Sequence, residues 1–157
     1  MVIVVRNLDE AKAEAHRFAA VITAGPKASE AAFGHPLQRA RTFADTTSGP
    51  MAPSITAVTS LVDFGAAHAD SLLIHCHRGE SRSPAIAIGI AVKLGHTVDE
   101  ACDLVRTWVP AGRAIKPNPL IVQHLERILD RPGLSATVAR HWPSIAGHLG
   151  AATTRAW

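Results

Sequence analysis

With 157 residues, 47% of them hydrophobic, the chain is long enough for a single domain with a sizeable core. Its net charge of +3 suits anionic substrates, but no dense basic run or basic–aromatic interleaving is present, which argues against a nucleic-acid-binding protein. The longest uncharged apolar stretch, residues 83–92, is too short to cross a bilayer; with two cysteines and no secretory pattern ahead of Arg6, Asp9, Glu10 and Lys12, a reducing cytoplasmic setting is expected.

The patterning alternates strand and helix. Residues 2–5 read as a strand and 8–18 as an amphipathic helix. Residues 19–24 read as a second strand, followed by a loop punctuated by Gly25-Pro26 and Gly34-His35-Pro36. A short strand is expected over 39–44, then a polar, turn-rich stretch over 45–53. Ile55, Val58, Leu61, Val62 and Phe64 have helical spacing. Residues 71–75 are apolar enough to be the buried central strand of a parallel sheet. Helices are predicted over 83–94, 98–108 and 119–129, with Gly95 stopping the first and Thr97 capping the second. The fold class implied is α/β: a small, mainly parallel central sheet flanked by helices. Arg131-Pro132-Gly133 closes the last helix, so the chain divides into a domain over 1–130 and a C-terminal extension over 131–157, packed or partly disordered. An amphipathic turn interrupted by Pro143 is possible in that extension, and Trp142 and Trp157 are candidates to pack on the domain or a partner.

The chemistry concentrates at the end of the central strand, in His75-Cys76-His77-Arg78-Gly79-Glu80-Ser81-Arg82-Ser83-Pro84. Cys76 stands where the chain turns from strand to helix, so the N–H groups of His77, Arg78, Gly79, Glu80, Ser81 and Arg82 can ring a tetrahedral oxyanion. Gly79 permits the tight turn and the close approach of backbone to ligand. Arg82 offers a planar fork for two phosphate oxygens. The helix N-terminus and the guanidinium both favour a thiolate over a thiol. Ser83 can cap the helix or donate to the sulfur, and Pro84 in the first turn loses no hydrogen bond.

These residues together resemble the His-Cys-x5-Arg-Ser motif of the protein tyrosine phosphatase superfamily, especially its dual-specificity-like and compact bacterial members. The resemblance extends over roughly residues 2–129 and is sharp only in the loop. It implies a phosphatase-type Cys-x5-Arg fold, with 1–130 as the catalytic domain. The implied activity is phosphomonoester hydrolysis through a cysteinyl-phosphate on Cys76, of the protein tyrosine or dual-specificity type. The substrate would be a phosphorylated protein or a small phosphomonoester, with inorganic phosphate held in the loop. No cofactor or metal is implied. Arg78 and Glu80 depart from the family pattern, where many members carry a small and an apolar residue. The chain has no tyrosine and no obvious aromatic loop to clamp a phosphotyrosine ring, which leans toward a shallower pocket.

A general acid must protonate the departing oxygen. Asp45 follows a strand; if that strand is parallel to the central one, Asp45 shares the sheet edge of Cys76. Asp70 precedes the central strand and falls on the opposite edge, Asp63 sits inside a helix, and Asp99 and Asp103 belong to a later one. Asp45 also lies 31 residues before Cys76, similar to the spacing of the acid in compact family members. A turn-forming aspartate is the plainer alternative. His75 is expected to point away from the pocket and hold the loop backbone. Asn118 either caps the last helix or orients loop backbone or a water. Arg78, Arg113 and Lys116 can widen the positive field around the pocket. His75-Cys76-His77, with Cys102 or His68 as further ligands, could suggest zinc, but no second ligand pair at set spacing is present, and Cys102 fits a helical core position. Two competing functions share the loop: a rhodanese-like sulfurtransferase, whose loops are often a residue shorter, and a non-catalytic phosphoprotein-binding module, which would not need the nucleophile.

Overall fold

A computed structural model of the chain describes residues 1–150; Trp157 lies outside them. The elements are β1 (Val2–Arg6), α1 (Leu8–Glu14) continued by a 3-10 turn (Ala15–Arg17), β2 (Ala20–Gly25), β3 (Gln38–Thr42), α2 (Ile55–Ala67), β4 (Ser71–His75), α3 (Arg82–Lys93), α4 (Val98–Trp108), α5 (Pro119–Ile128), α6 (Leu134–His141) and a 3-10 turn (Pro143–His148). The four strands form one sheet in the order β1-β4-β2-β3, and every pairing is parallel. All four carboxyl ends therefore face the same edge, where an open α/β sheet places its ligands.

Alternation along β4 divides the core. Leu72 and Ile74 face the large apolar cluster built with α2 to α6, whereas Leu73 joins Ala11, Ala15 and Val21 beneath α1. α3 is the central helix, buried on every side from Ser83 to Val92. A Cβ on Gly89 would lie 2.4 Å from Leu125, and one on Gly65 would lie 2.2 Å from Ile90, so α5 and α2 approach α3 as closely as glycine allows.

Local chemistry sets the helix ends. Asn7 and Glu10 form a reciprocal capping box at the start of α1, and Thr97 and Glu100 form another at α4. Gly95, at φ +106°, ends α3, with the His96 N–H returning to the Ala91 carbonyl.

Two expected boundaries shift for visible reasons. The helix expected to reach residue 18 ends at Glu14, because the chain must tighten through 15–17 to enter β2 at Ala20. β3 stops at Thr42 rather than at residue 44, because the Phe43 carbonyl accepts from Arg82 and the Ala44 N–H turns to the Met51 carbonyl. After Leu129 the chain forms α6, whose Leu134 and Val138 are buried, and Ile145 is buried beyond it. Trp142 lies under the Arg106 guanidinium, 4.6 Å from ring centroid to charge.

Candidate active site

A cleft lies at the carboxyl edge of the sheet, where β4 and β3 lead into Cys76 and Asp45 and the ends of β1 and β2 support Gly79 and Arg82 from behind. Cys76 leaves the end of β4 and is only 2% exposed, yet it lines a cavity of about 470 Å³ together with Asp45, His77, Arg78, Glu80, Ser81, Arg82 and Lys116. Its sulfur accepts from the Gly79 N–H at 3.2 Å and lies 3.1 Å from the Ser83 hydroxyl, a hydrogen bond in which a thiol or the hydroxyl can donate and a thiolate can only accept. Ser83 lies inside the first turn of α3, so of its two expected roles the contact with sulfur is the one seen.

The loop after Cys76 is held from outside by its carbonyls. The Leu8 N–H donates to the His77 carbonyl, the Lys116 N–H to the Glu80 carbonyl and the Asn118 N–H to the Ser81 carbonyl. A trans peptide sets each carbonyl opposite the following N–H, so the N–H groups of Arg78, Ser81 and Arg82 turn away from those partners. Gly79 sits at φ +73° and presses on the end of β1: a Cβ there would lie 2.9 Å from the Arg6 carbonyl group and the Asn7 nitrogen. Glycine is needed here for both conformation and space.

Arg82 is aimed by β2 and β3. Its Nη1 donates to the Phe43 carbonyl at 2.7 Å. Its guanidinium lies over Gly25, where a Cβ would come within 2.1 Å of Nη1 and 2.7 Å of Cζ. Gly25 was not among the expected site residues; its position at the carboxyl end of a strand was the available signal.

Asp45 follows β3 on the same edge as Cys76 and is exposed on the cavity wall. Two donors engage its Oδ1, the Ser81 hydroxyl at 2.7 Å and the Asn118 amide at 2.8 Å, and neither uses Oδ2. Asn118 is 1% exposed and does two jobs. Its Oδ1 accepts from the Ile121 N–H at 3.0 Å and caps α5, while its Nδ2 also reaches the Thr46 carbonyl at 3.3 Å. The side chain thus caps α5 and reaches the Asp45 segment, while the loop after Cys76 meets only the main-chain N–H of Asn118.

His75 points beneath the sheet, fully buried, with its ring 5.2 Å from that of Phe33. A carbonyl can only accept, so the bond between Nδ1 and the Cys76 carbonyl (3.0 Å) puts the proton on Nδ1. The bare Nε2 then accepts from the Thr23 hydroxyl at 2.8 Å, and Thr23 accepts in turn from the Gln38 amide at 2.7 Å. Burial pushes the imidazole pKa down to about 4, and Arg82 adds to the effect against the opposing pull of the Cys76 carbonyl. Thr23 and Gln38 escaped the sequence reading because their link to the loop runs through a histidine 52 residues from Thr23.

Outside the cavity wall, Arg113 binds Glu10 through two bonds of 2.6 and 2.9 Å, which ties the 110–118 segment to α1 and holds the Glu10 carboxyl below the usual range. Arg113 is thus neutralised by a carboxylate, unlike Arg78 and Lys116. Cys102 is buried on α4 and belongs to the core; burial pushes its thiol up to about 12. Among the described residues, no group of three or more histidine, cysteine or acidic side chains is arranged to hold a metal, and no helix is long and apolar enough to cross a membrane.

No protein-family model matches the chain, and no curated protein sequence matches it. Solved structures do. Tk-PTP in its active form is 18% identical, superposes with a TM-score of 0.58, and the match covers 82% of this chain and 89% of that one. Human DUSP28 is 13% identical with a TM-score of 0.60, over 82% and 91% of the two chains. The Yvh1 phosphatase domain from Chaetomium thermophilum is 20% identical with a TM-score of 0.57, over 82% and 90%. The four-stranded parallel sheet flanked by helices is thus the fold of protein tyrosine and dual-specificity phosphatases.

Proposed function

We propose that the protein is a cysteine-dependent phosphomonoester hydrolase of the protein tyrosine and dual-specificity phosphatase type. The observation that carries this reading is the sulfur of Cys76: it sits in the floor of a cleft, touched by a main-chain N–H and the Ser83 hydroxyl, with Arg82 and Asp45 in the same wall.

In the proposed reaction a phosphate dianion enters the loop and is held by main-chain N–H groups and the Arg82 fork. The Cys76 thiolate attacks phosphorus in line and forms an S–P bond as the bond to the departing oxygen breaks. Asp45 supplies the proton to that oxygen; Oδ2 is the atom free to carry it, since Oδ1 already accepts two hydrogen bonds. Water then attacks the cysteinyl-phosphate. Asp45 takes its proton, inorganic phosphate leaves, and the Ser83 hydroxyl donates to the returning sulfur. Charge developing on the transferring group meets Arg82 and fixed amide dipoles that need no reorganisation. A reducing compartment such as the cytoplasm suits the free thiol.

The test is turnover of an aryl phosphate in the presence of a metal chelator. Cys76→Ser is expected to abolish it. Asp45→Asn is expected to slow a substrate with a poor leaving group by about 10² or more and one with a good leaving group far less. Equal slowing of both would remove Asp45 from the acid role. Thiosulfate turnover with a persulfide on Cys76 would replace the reading with a sulfurtransferase.

A further inference from the structure

The walls around Asp45 bear on the substrate, given the hydrolase reading above. A general acid must touch the departing oxygen, so the body of the leaving group lies on Asp45's side of the bound phosphate. On that side is a second cavity of about 490 Å³, whose lining includes Asp45, Thr46, Ser81, Lys116, Ser144 and His148. Asp45, Ser81 and Lys116 line both cavities, so a leaving group passing the acid enters the second one.

The chemistry of that wall is selective. Beside the apolar Pro117, Pro119 and Ile145 it presents hydroxyls, an amine and an imidazole, and among the lining residues of both cavities there is no phenyl or indole ring. Its one carboxylate, Asp45, already accepts two hydrogen bonds on Oδ1. The Lys116 ammonium is exposed and, among the described residues, has no hydrogen-bond or ion-pair partner; only its main-chain N–H is engaged. A phosphotyrosine ring entering here would meet no phenyl or indole face, only the His148 imidazole and the apolar Pro117, Pro119 and Ile145, and would leave the Lys116 ammonium unpaired.

We propose that the second cavity is a leaving-group subsite for a small, hydroxyl-bearing phosphomonoester that carries a second anionic group. Lys116 and His148 hold that second anion, and the Ser144 hydroxyl meets a hydroxyl of the polyol; Thr46 Oγ1, which already donates to the Ser48 carbonyl and accepts from the Ser48 N–H, can only accept one more. The same chemistry is presented by a soluble sugar or polyol bisphosphate and by the headgroup of a phosphorylated inositol lipid.

Binding to the full chain carrying Cys76→Ser, measured by calorimetry, tests the subsite without turnover. The probes are fructose monophosphate against fructose bisphosphate, inositol monophosphate against inositol bisphosphate, and a phosphotyrosine peptide. Each bisphosphate is expected to bind about tenfold or more tightly than its monophosphate, the scale of one charge-assisted hydrogen bond. Adding Lys116→Gln, or separately His148→Gln, shrinks that ratio; both side chains are exposed, so neither change threatens the core. Phosphatidylinositol monophosphate in phosphatidylcholine vesicles, compared with soluble inositol bisphosphate, distinguishes a lipid headgroup from a free metabolite. Equal affinities within both pairs, ratios unchanged by both substitutions, or tightest binding of the phosphopeptide overturns the subsite, even if the wild-type protein hydrolyses an aryl phosphate. Absence of Cys76-dependent aryl phosphate turnover overturns the hydrolase reading itself.

Discussion

Gly25 carries no functional group, yet the placement of Arg82 depends on it. Its φ of +110° disfavours any side chain, and the guanidinium occupies the space a Cβ would need. Gly25→Ala is therefore expected to cost stability by about 1 kcal/mol or more and, by displacing the phosphate fork, to lower kcat/KM on an aryl phosphate by about 10². Steady-state kinetics beside chemical denaturation checks both; unchanged kcat/KM in a destabilised variant would detach Gly25 from the site. At this scale the sequence was informative wherever a side chain carries the chemistry. Cys76, Arg82, Ser83, Asp45 and Asn118 were all named as candidates, and the structure brings them together. It was silent wherever the backbone acts. Neither the Phe43 carbonyl that aims Arg82 nor the Lys116 N–H that holds the Glu80 carbonyl has a residue-type requirement to betray it.

Among the elements, the start of α5 does more than terminate a connection. Through Asn118 it joins the helix start, the Asp45 segment and the loop after Cys76. Serine caps helices about as well as asparagine but has no amide to reach Asp45. Asn118→Ser is thus expected to keep α5 formed while slowing hydrolysis of a poor leaving group about tenfold and of a good one much less. Equal losses on both substrates would make Asn118 a structural cap alone. The order of elements was legible because strand and helix periods alternate cleanly, and because Leu72-Leu73-Ile74 in β4 are apolar on both faces, as the centre of a strand covered on both sides must be. The 3-10 turn over 15–17 and the early end of β3 were not legible, since both are set by where the chain must go next and by a hydrogen bond from a residue 39 positions away. α6 was foreshadowed only as an interrupted turn, because Gly133 and Pro143 bracket a segment of just eight helical residues.

Over the whole molecule, buried imidazoles set a pH dependence of stability. His75 has a pKa near 4 in the folded chain against an ordinary value of 6.5, so the unfolded state binds the proton more readily between those values. Folding stability is therefore full above about pH 6.5 and falls as the pH drops toward 4, by about 3 kcal/mol from His75. His124, lowered mainly by burial, acts in the same sense. The Glu10 carboxyl, held down mainly by Arg113, loses its contribution only at lower pH, below its ordinary 4.5. Denaturant midpoints at a series of pH values check the sign: stability flat between pH 6.5 and 4.5 would contradict the buried neutral state of His75.

The proposed reaction passes through a bond between sulfur and phosphorus. The most direct measurement is an acid quench during turnover of a phosphomonoester by the Asp45→Asn protein, followed by mass analysis of the peptides. Phosphate on the peptide that contains Cys76, and on none containing Cys102, is the expected result. Product released with Cys76 never phosphorylated, or equal turnover by Cys76→Ser, would contradict it.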